Sequence, residues 1–148
     1  MCTFIGDYTG KMDNKCRVVV PASFRKQMMA AGLSVFVLRR SVFEKCIDMY
    51  PIDEWERMLA GIRAKLNLFN AKHVAFMREF CRGTLEVEMD ANGRILLPRR
   101  LLDEVGIDNE MVFAGQDKMI QLWEVEEYDR VAVTSEELSD LAEEIFEN

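Results

Sequence analysis

Residues 13–21, DNKCRVVVP, return 77 residues later as residues 90–98, DANGRILLP. Both stretches hold an Asp, an Arg four positions on, three aliphatic residues and a closing Pro. Asn92-Gly93 offers the positive φ angles that a tight turn requires. Upstream of it Leu85, Val87 and Met89 alternate with Thr84, Glu86, Glu88 and Asp90, the period of a half-buried strand. The pattern predicts strand, turn and return strand, folded back as a hairpin. Pro21 and Pro98 suit the first turn of a helix, and Gly32 and Gly106 suit its C-terminal cap.

The duplication extends outward from this motif. Phe24, Met28 and Met29 precede Gly32 as Leu101, Leu102 and Val105 precede Gly106. Residues 36–38 with 46–50 predict a second hairpin, as do residues 111–113 with 119–123. Between the repeats, Trp55, Leu59, Ile62 and Leu66, then His73, Val74, Met77, Phe80 and Cys81, recur at helical spacing. Residues 67–70 read as the turn joining two helices. The expected organisation is a first module at 1–52, a helical insert at 53–82, a second module at 83–128 and an acidic tail at 129–148. Modules this short bury little core alone, so the two are expected to pack about a pseudo-twofold axis. The fold class is α+β, mainly β, with a small closed barrel, a helical hairpin insert and a C-terminal acidic helix.

The 148 residues are 49% hydrophobic and 30% charged, with 3 Pro and 8 Gly, which excludes a disordered or low-complexity chain. A net charge of −7 argues against nucleic acid only until it is divided by position. Residues 1–100 carry 17 Lys or Arg against 11 Asp or Glu, whereas residues 101–148 carry 2 against 15. A basic body thus precedes an acidic tail, a sign asymmetry that points to a charged partner. Cys2, Cys16, Cys46 and Cys81 form no CxxC pair, and no apolar run reaches the roughly 20 residues that span a bilayer. The expectation is a cytoplasmic protein with reduced thiols and no membrane association.

Enzymatic constellations are thin. His73 is the lone histidine and has no nucleophile motif beside it, and neither a Walker loop nor GxGxxG occurs. Glu86, Glu88 and Asp90 share a strand face and could be imagined as a metal site. Alternating acids opposite apolar residues are more simply a solvent face. No enzyme activity, cofactor or metal is therefore expected. The specific signal is the duplicated acid and arginine: Asp13 and Asp90 can reach back across their turns to orient Arg17 and Arg94. Alone this is a turn-stabilising ion pair worth about 0–1 kcal/mol. Lys11 and Lys15 accompany the first loop and Arg99 and Arg100 the second. Such basic loops suit phosphate, and an arginine oriented by a carboxylate can contact guanine bidentately.

These residues resemble the MraZ family, bacterial transcriptional regulators with two tandem AbrB-like, swapped-hairpin domains. The matching segments are Asp13-x-x-x-Arg17 with Val-Val-Pro21-Ala-x-Phe-Arg25, Met49-Tyr50-Pro51-Ile-Asp-Glu54-Trp55, and Asp90-x-x-Gly93-Arg94-Ile-Leu-x-Pro98. The likeness runs from about residue 4 to residue 128. It implies a repressor of the division and cell-wall gene cluster that binds tandem promoter repeats in double-stranded DNA as a ring-shaped homo-oligomer at the nucleoid. It also implies that Arg17 and Arg94 contact DNA; Lys11, Lys15, Arg99 and Arg100, the basic neighbours of the two loops, are expected to add phosphate contacts. The family commonly has Gly before the Arg, where the first repeat has Cys16. A Cβ at positive φ is costly, so the first turn is expected to differ from the second. Two further readings compete: a protein-interaction or antitoxin-like module using the acidic tail, and a metal-dependent enzyme on Glu86, Glu88 and Asp90.

Overall fold

In the computed structural model, which describes residues 1–147, the duplicated pattern becomes a duplicated order of elements. The first repeat holds β1 (Asp7–Lys11), β2 (Arg17–Val19), α1 (Ala22–Ala30), β3 (Val35–Arg40) and β4 (Ile47–Pro51). Helices α2 (Ile52–Lys65) and α3 (Ala71–Cys81) follow. Then come β5 (Leu85–Glu88), β6 (Arg94–Leu96), α4 (Arg99–Glu104), β7 (Glu110–Gln116) and β8 (Met119–Glu124). Helices α5 (Val125–Arg130) and α6 (Ser135–Phe146) come last.

The strands interleave the two repeats. One six-stranded sheet runs β1-β7-β8-β4-β3-β5, and β2 pairs with β6 apart from it, every pairing antiparallel. Strand β1 lies on β7 with Tyr8 opposite Phe113, and β5 lies on β3 with Leu85 opposite Leu38. At the centre Asp48 faces Gln121 and Val18 faces Ile95, each pair joining equivalent positions of the repeats. A pseudo-twofold axis therefore passes through both.

Two expectations are corrected here. The strands flanking each Asp-x-x-x-Arg turn do not fold back on one another as a hairpin ladder. Each finds its partner in the other repeat, because Val18 and Ile95, both 1% exposed, bury their side chains at the axis in a core that one repeat cannot build. Nor does strand pairing close a barrel among the described residues: β1 and β5 are edges of the large sheet. The β2/β6 ribbon is three residues long on each side and is stopped by Pro21 and Pro98 two residues after its strands end, so it pairs only with itself.

One apolar cluster draws on both repeats, with Phe4, Phe24, Phe36 and Met49 packed among Ile95, Leu101, Phe113 and Leu122. Pro21 and Pro98 sit at the N-caps of α1 and α4 rather than inside the first turn. Gly32 and Gly106 adopt φ of +69° and +74° just past the helix ends. There Leu33 N donates to Met28 O and Ile107 N to Leu102 O, both at 2.9 Å.

The insert is held by its base. Trp55 packs between Tyr50 and Phe80, each ring centroid 5.7 Å away. Asn70 caps α3 by accepting from Lys72 N and His73 N, and His73 Nδ1 accepts from Asn67 N at 2.8 Å. The single histidine thus ties the interhelical turn. At the other side Val125, Tyr128 and Val131 pack against Trp123, Val112 and Ala114. Residues 132–147 are all exposed. No helix of the described residues is long and apolar enough to cross a membrane.

Candidate nucleic-acid interface

Each loop is built by its aspartate. Asp13 Oδ1 accepts from Lys15 N at 2.8 Å and Arg17 N at 2.9 Å, while Oδ2 accepts from Arg17 Nε at 2.9 Å. Asp90 repeats the pattern, with Asn92 N and Arg94 N on Oδ1 at 2.9 Å and Arg94 Nε on Oδ2 at 2.8 Å. One carboxylate therefore closes the turn and aims the guanidinium. Both carboxyls are held below the ordinary aspartate value, first by the arginine's backbone N–H and also by its side chain. The terminal nitrogens of Arg17 and Arg94 make no hydrogen bond with the described residues, which leaves one edge of each fork open.

The first turn does not differ from the second. Cys16 takes φ +60° where Gly93 takes +74°, and both turns carry the same backbone bonds. Cys16 N donates to Asp13 O at 3.2 Å and Gly93 N to Asp90 O at 3.0 Å. The loops differ in what lies over them. At Gly93 an added Cβ would come within 2.8 Å of Arg25 Nε, so a larger residue there would displace the Arg25 side chain as well as hold a positive φ. At Cys16 the overlying group is Arg99, whose Nη2 lies 3.0 Å from the thiol sulfur. Cys16 has room for its side chain.

Between the loops lies the β2/β6 ribbon. Its register sets Arg17 opposite Leu96 and Arg94 opposite Val19, with Val18 and Ile95 turned into the core. Strand alternation then places Arg17, Val19, Arg94 and Leu96 on the outer face together. Val19 is 50% and Leu96 57% exposed. The sequence reading missed this apolar pair, although Val19 and Leu96 stand two positions after Arg17 and Arg94 and period-2 counting alone shows them sharing a face. Arg25, named only within the family match and given no role there, donates to Val20 O beside the second loop.

The other basic residues divide differently from their order in the chain. Lys11, in β1 opposite Glu110, and Lys15, in the turn, are exposed on the first repeat. Arg99 follows the second loop in sequence yet sits at the first, because the repeats interleave. Arg100 joins neither loop: it donates to Gly83 O at 2.9 Å and pairs with Glu104 at 3.2 Å. Of the acids that alternate along residues 86–90, Glu88 accepts from Ser34 Oγ and Asp90 holds Arg94. Among the described residues no cluster of His, Cys, Asp or Glu could hold an ion.

Residues 3–79 and residues 80–148 each match the family model described as "MraZ protein, putative antitoxin-like". The "Transcriptional regulator MraZ" of Christiangramia forsetii is 35% identical over 100% of this chain and 96% of its own length. That of Bacteroides thetaiotaomicron is 36% identical over 99% of this chain and 94% of its own. That of Clostridium acetobutylicum is 31% identical over 97% of each. Matched in both halves and along its full length, the chain belongs to the MraZ family.

Proposed function

We propose that this protein is a sequence-specific DNA-binding transcriptional regulator, a repressor of the division and cell-wall gene cluster, and not an enzyme. The carrying observation is the pair of arginines held side-on by Asp13 and Asp90 at the two ends of one ribbon. From the register their Cα atoms lie about 8 Å apart, near the roughly 7 Å rise of two base-pair steps. A two-stranded ribbon fits the major groove, where an arginine fork reads guanine and small apolar groups contact thymine methyls. Arg17 and Arg94 read or position, and Val19 and Leu96 supply apolar contact. Lys11, Lys15 and Arg99 add phosphate contacts, and Arg100 at most a peripheral one. The relatives named as transcriptional regulators support this reading.

The interleaving of β1 with β7 and of β5 with β3 supports tandem swapped-hairpin modules, divided at 1–52, 53–82, 83–128 and 129–148. One subunit offers few cations, so a ring of subunits on tandem promoter repeats raises affinity through effective concentration. The working place is the nucleoid in the cytoplasm, with no cofactor or metal. The test is a low-salt shift assay on the protein's own upstream DNA against scrambled DNA. Arg94→Ala should weaken specific binding by about 1–3 kcal/mol. Full promoter affinity in an Arg17→Ala, Arg94→Ala double variant overturns the assignment. The antitoxin-like reading, favoured by the exposed acidic tail, predicts instead that deleting residues 129–148 abolishes partner capture while DNA binding persists.

A further inference from the structure

Helix α6 is amphipathic and has no buried residue. Leu138, Leu141, Ile145 and Phe146, spaced three, four and one apart, are 44–80% exposed. An isolated helix of 12 residues is marginal in water, and most helical stability in proteins comes from packing an apolar face. Residues 134–147 carry six carboxylates and no cation. The far end of the insert is its complement. Residues 57–78 of the insert carry five Lys or Arg and no carboxylate: Arg57 and Arg78 lie towards its base, paired with Glu54 and Glu79, while Arg63, Lys65 and Lys72 lie towards its tip, where Leu68, Phe69 and Val74 are exposed, Phe69 completely.

Both surfaces pair an uncovered apolar face with one sign of charge, and the signs are opposite. Topology separates them within a subunit. Strands β4 and β8 are antiparallel neighbours, with Ile47 opposite Leu122 and Met49 opposite Ile120. The insert leaves from the C-terminal end of β4, while α5 and α6 leave from the C-terminal end of β8. These are opposite ends of the same ladder.

We infer that α6 docks on the basic, apolar tip of the α2–α3 hairpin of a second copy of this chain. A contact between unlike surfaces at opposite ends is heterologous, and it propagates head to tail until the rotation closes a ring. The inference rests on the proposal that the chain assembles into a ring, and names the contact that builds it.

Two variants test it by sedimentation velocity at 0.1 M salt, a concentration chosen as roughly the regime in which surface charge still acts over about 10 Å. One carries Glu136→Lys, Asp140→Lys, Glu143→Lys and Glu147→Lys; the other carries Arg63→Glu, Lys65→Glu, Lys72→Glu and Arg78→Glu. All eight positions are exposed, and thermal unfolding and binding to a single DNA repeat check that both variants are folded. The wild type should sediment as the assembly, each variant alone as a monomer, and a 1:1 mixture should regain the assembled mass. Wild-type mass in the tail variant alone overturns the contact and leaves the ring standing. A monomeric wild type overturns both. A mixture that stays monomeric, with assembly unchanged in one chain carrying both sets, also overturns the second-copy assignment.

Discussion

At the residue scale, an exposed ion pair contributes little to stability, and the aspartates matter for what they orient. Each carboxylate receives two backbone N–H groups, one of them the arginine's own, as well as the guanidinium, so the contacts that close the turn also place the side chain. Cys16 departs from the second loop's chemistry by holding a left-handed angle with a Cβ, a conformation that costs about 1–2 kcal/mol in an L-residue. Glycine would relieve that strain but would also give the unfolded chain more conformational entropy, which offsets part of the gain. Cys16→Gly should therefore raise stability by at most about 1 kcal/mol, read as a higher thermal midpoint, and should free the Arg99 guanidinium that now rests on the thiol sulfur. A second residue-scale prediction concerns Asp48, 7% exposed and facing Arg39, Tyr50, Cys46 and Gln121, with Glu44 nearby. Burial raises its pKa to about 6, although Arg39 and the hydrogen bonds from Tyr50 and Gln121 oppose the rise. A carboxyl that protonates more readily when folded adds stability as pH falls through 6; the gain is complete below its ordinary value of 3.8 and absent well above 6. Relative to Asp48→Asn, the wild type should gain about 1–3 kcal/mol between pH 7.5 and pH 4, measured by urea unfolding. A pH-independent difference between the two proteins would show that Asp48 ionises normally.

At the element scale, the β2/β6 ribbon joins the fold to the site. Its inward pair, Val18 and Ile95, anchors it at the pseudo-twofold axis, and its outward face carries both arginines. Ile95→Ala removes a fully enclosed side chain and should cost about 2–5 kcal/mol in chemical unfolding. Because Ile95 stands between the loops, the same variant should disturb both arginines and weaken DNA binding more than Arg94→Ala, which removes one. The strands and the second hairpins were legible from alternation and turn residues, and the insert from its helical period. The partner of each strand was not. Alternation states which face of a strand is apolar and is silent about whose strand lies beside it, so residues 85–96 read as a local hairpin although β5 and β6 pair with β3 and β2.

At the scale of the whole molecule, charge and assembly act together. The basic loops are few, and tandem DNA repeats reward any subunit array that presents them together. Wild-type protein should bind a two-repeat promoter fragment about 10²–10⁴-fold more tightly than a one-repeat fragment at fixed salt, measured by anisotropy. The lysine-tailed variant should lose that increment, read as the ratio of two-repeat to one-repeat affinity, because its added cations strengthen binding to both fragments alike. Equal affinities for one and two repeats in the wild type would remove the role of assembly in binding. The sequence by itself determined the duplication, the Asp-to-Arg spacing within each turn, the glycine C-caps and the division of charge, because all of these depend on residues close together in the chain. Only the tertiary structure decided that the strands exchange between repeats, that Arg99 belongs to the first loop and Arg100 to neither, and that Val19 and Leu96 join the arginines on one face. Those outcomes depend on which apolar faces find each other across some 77 residues of chain, and a buried core shared about an axis settles that choice.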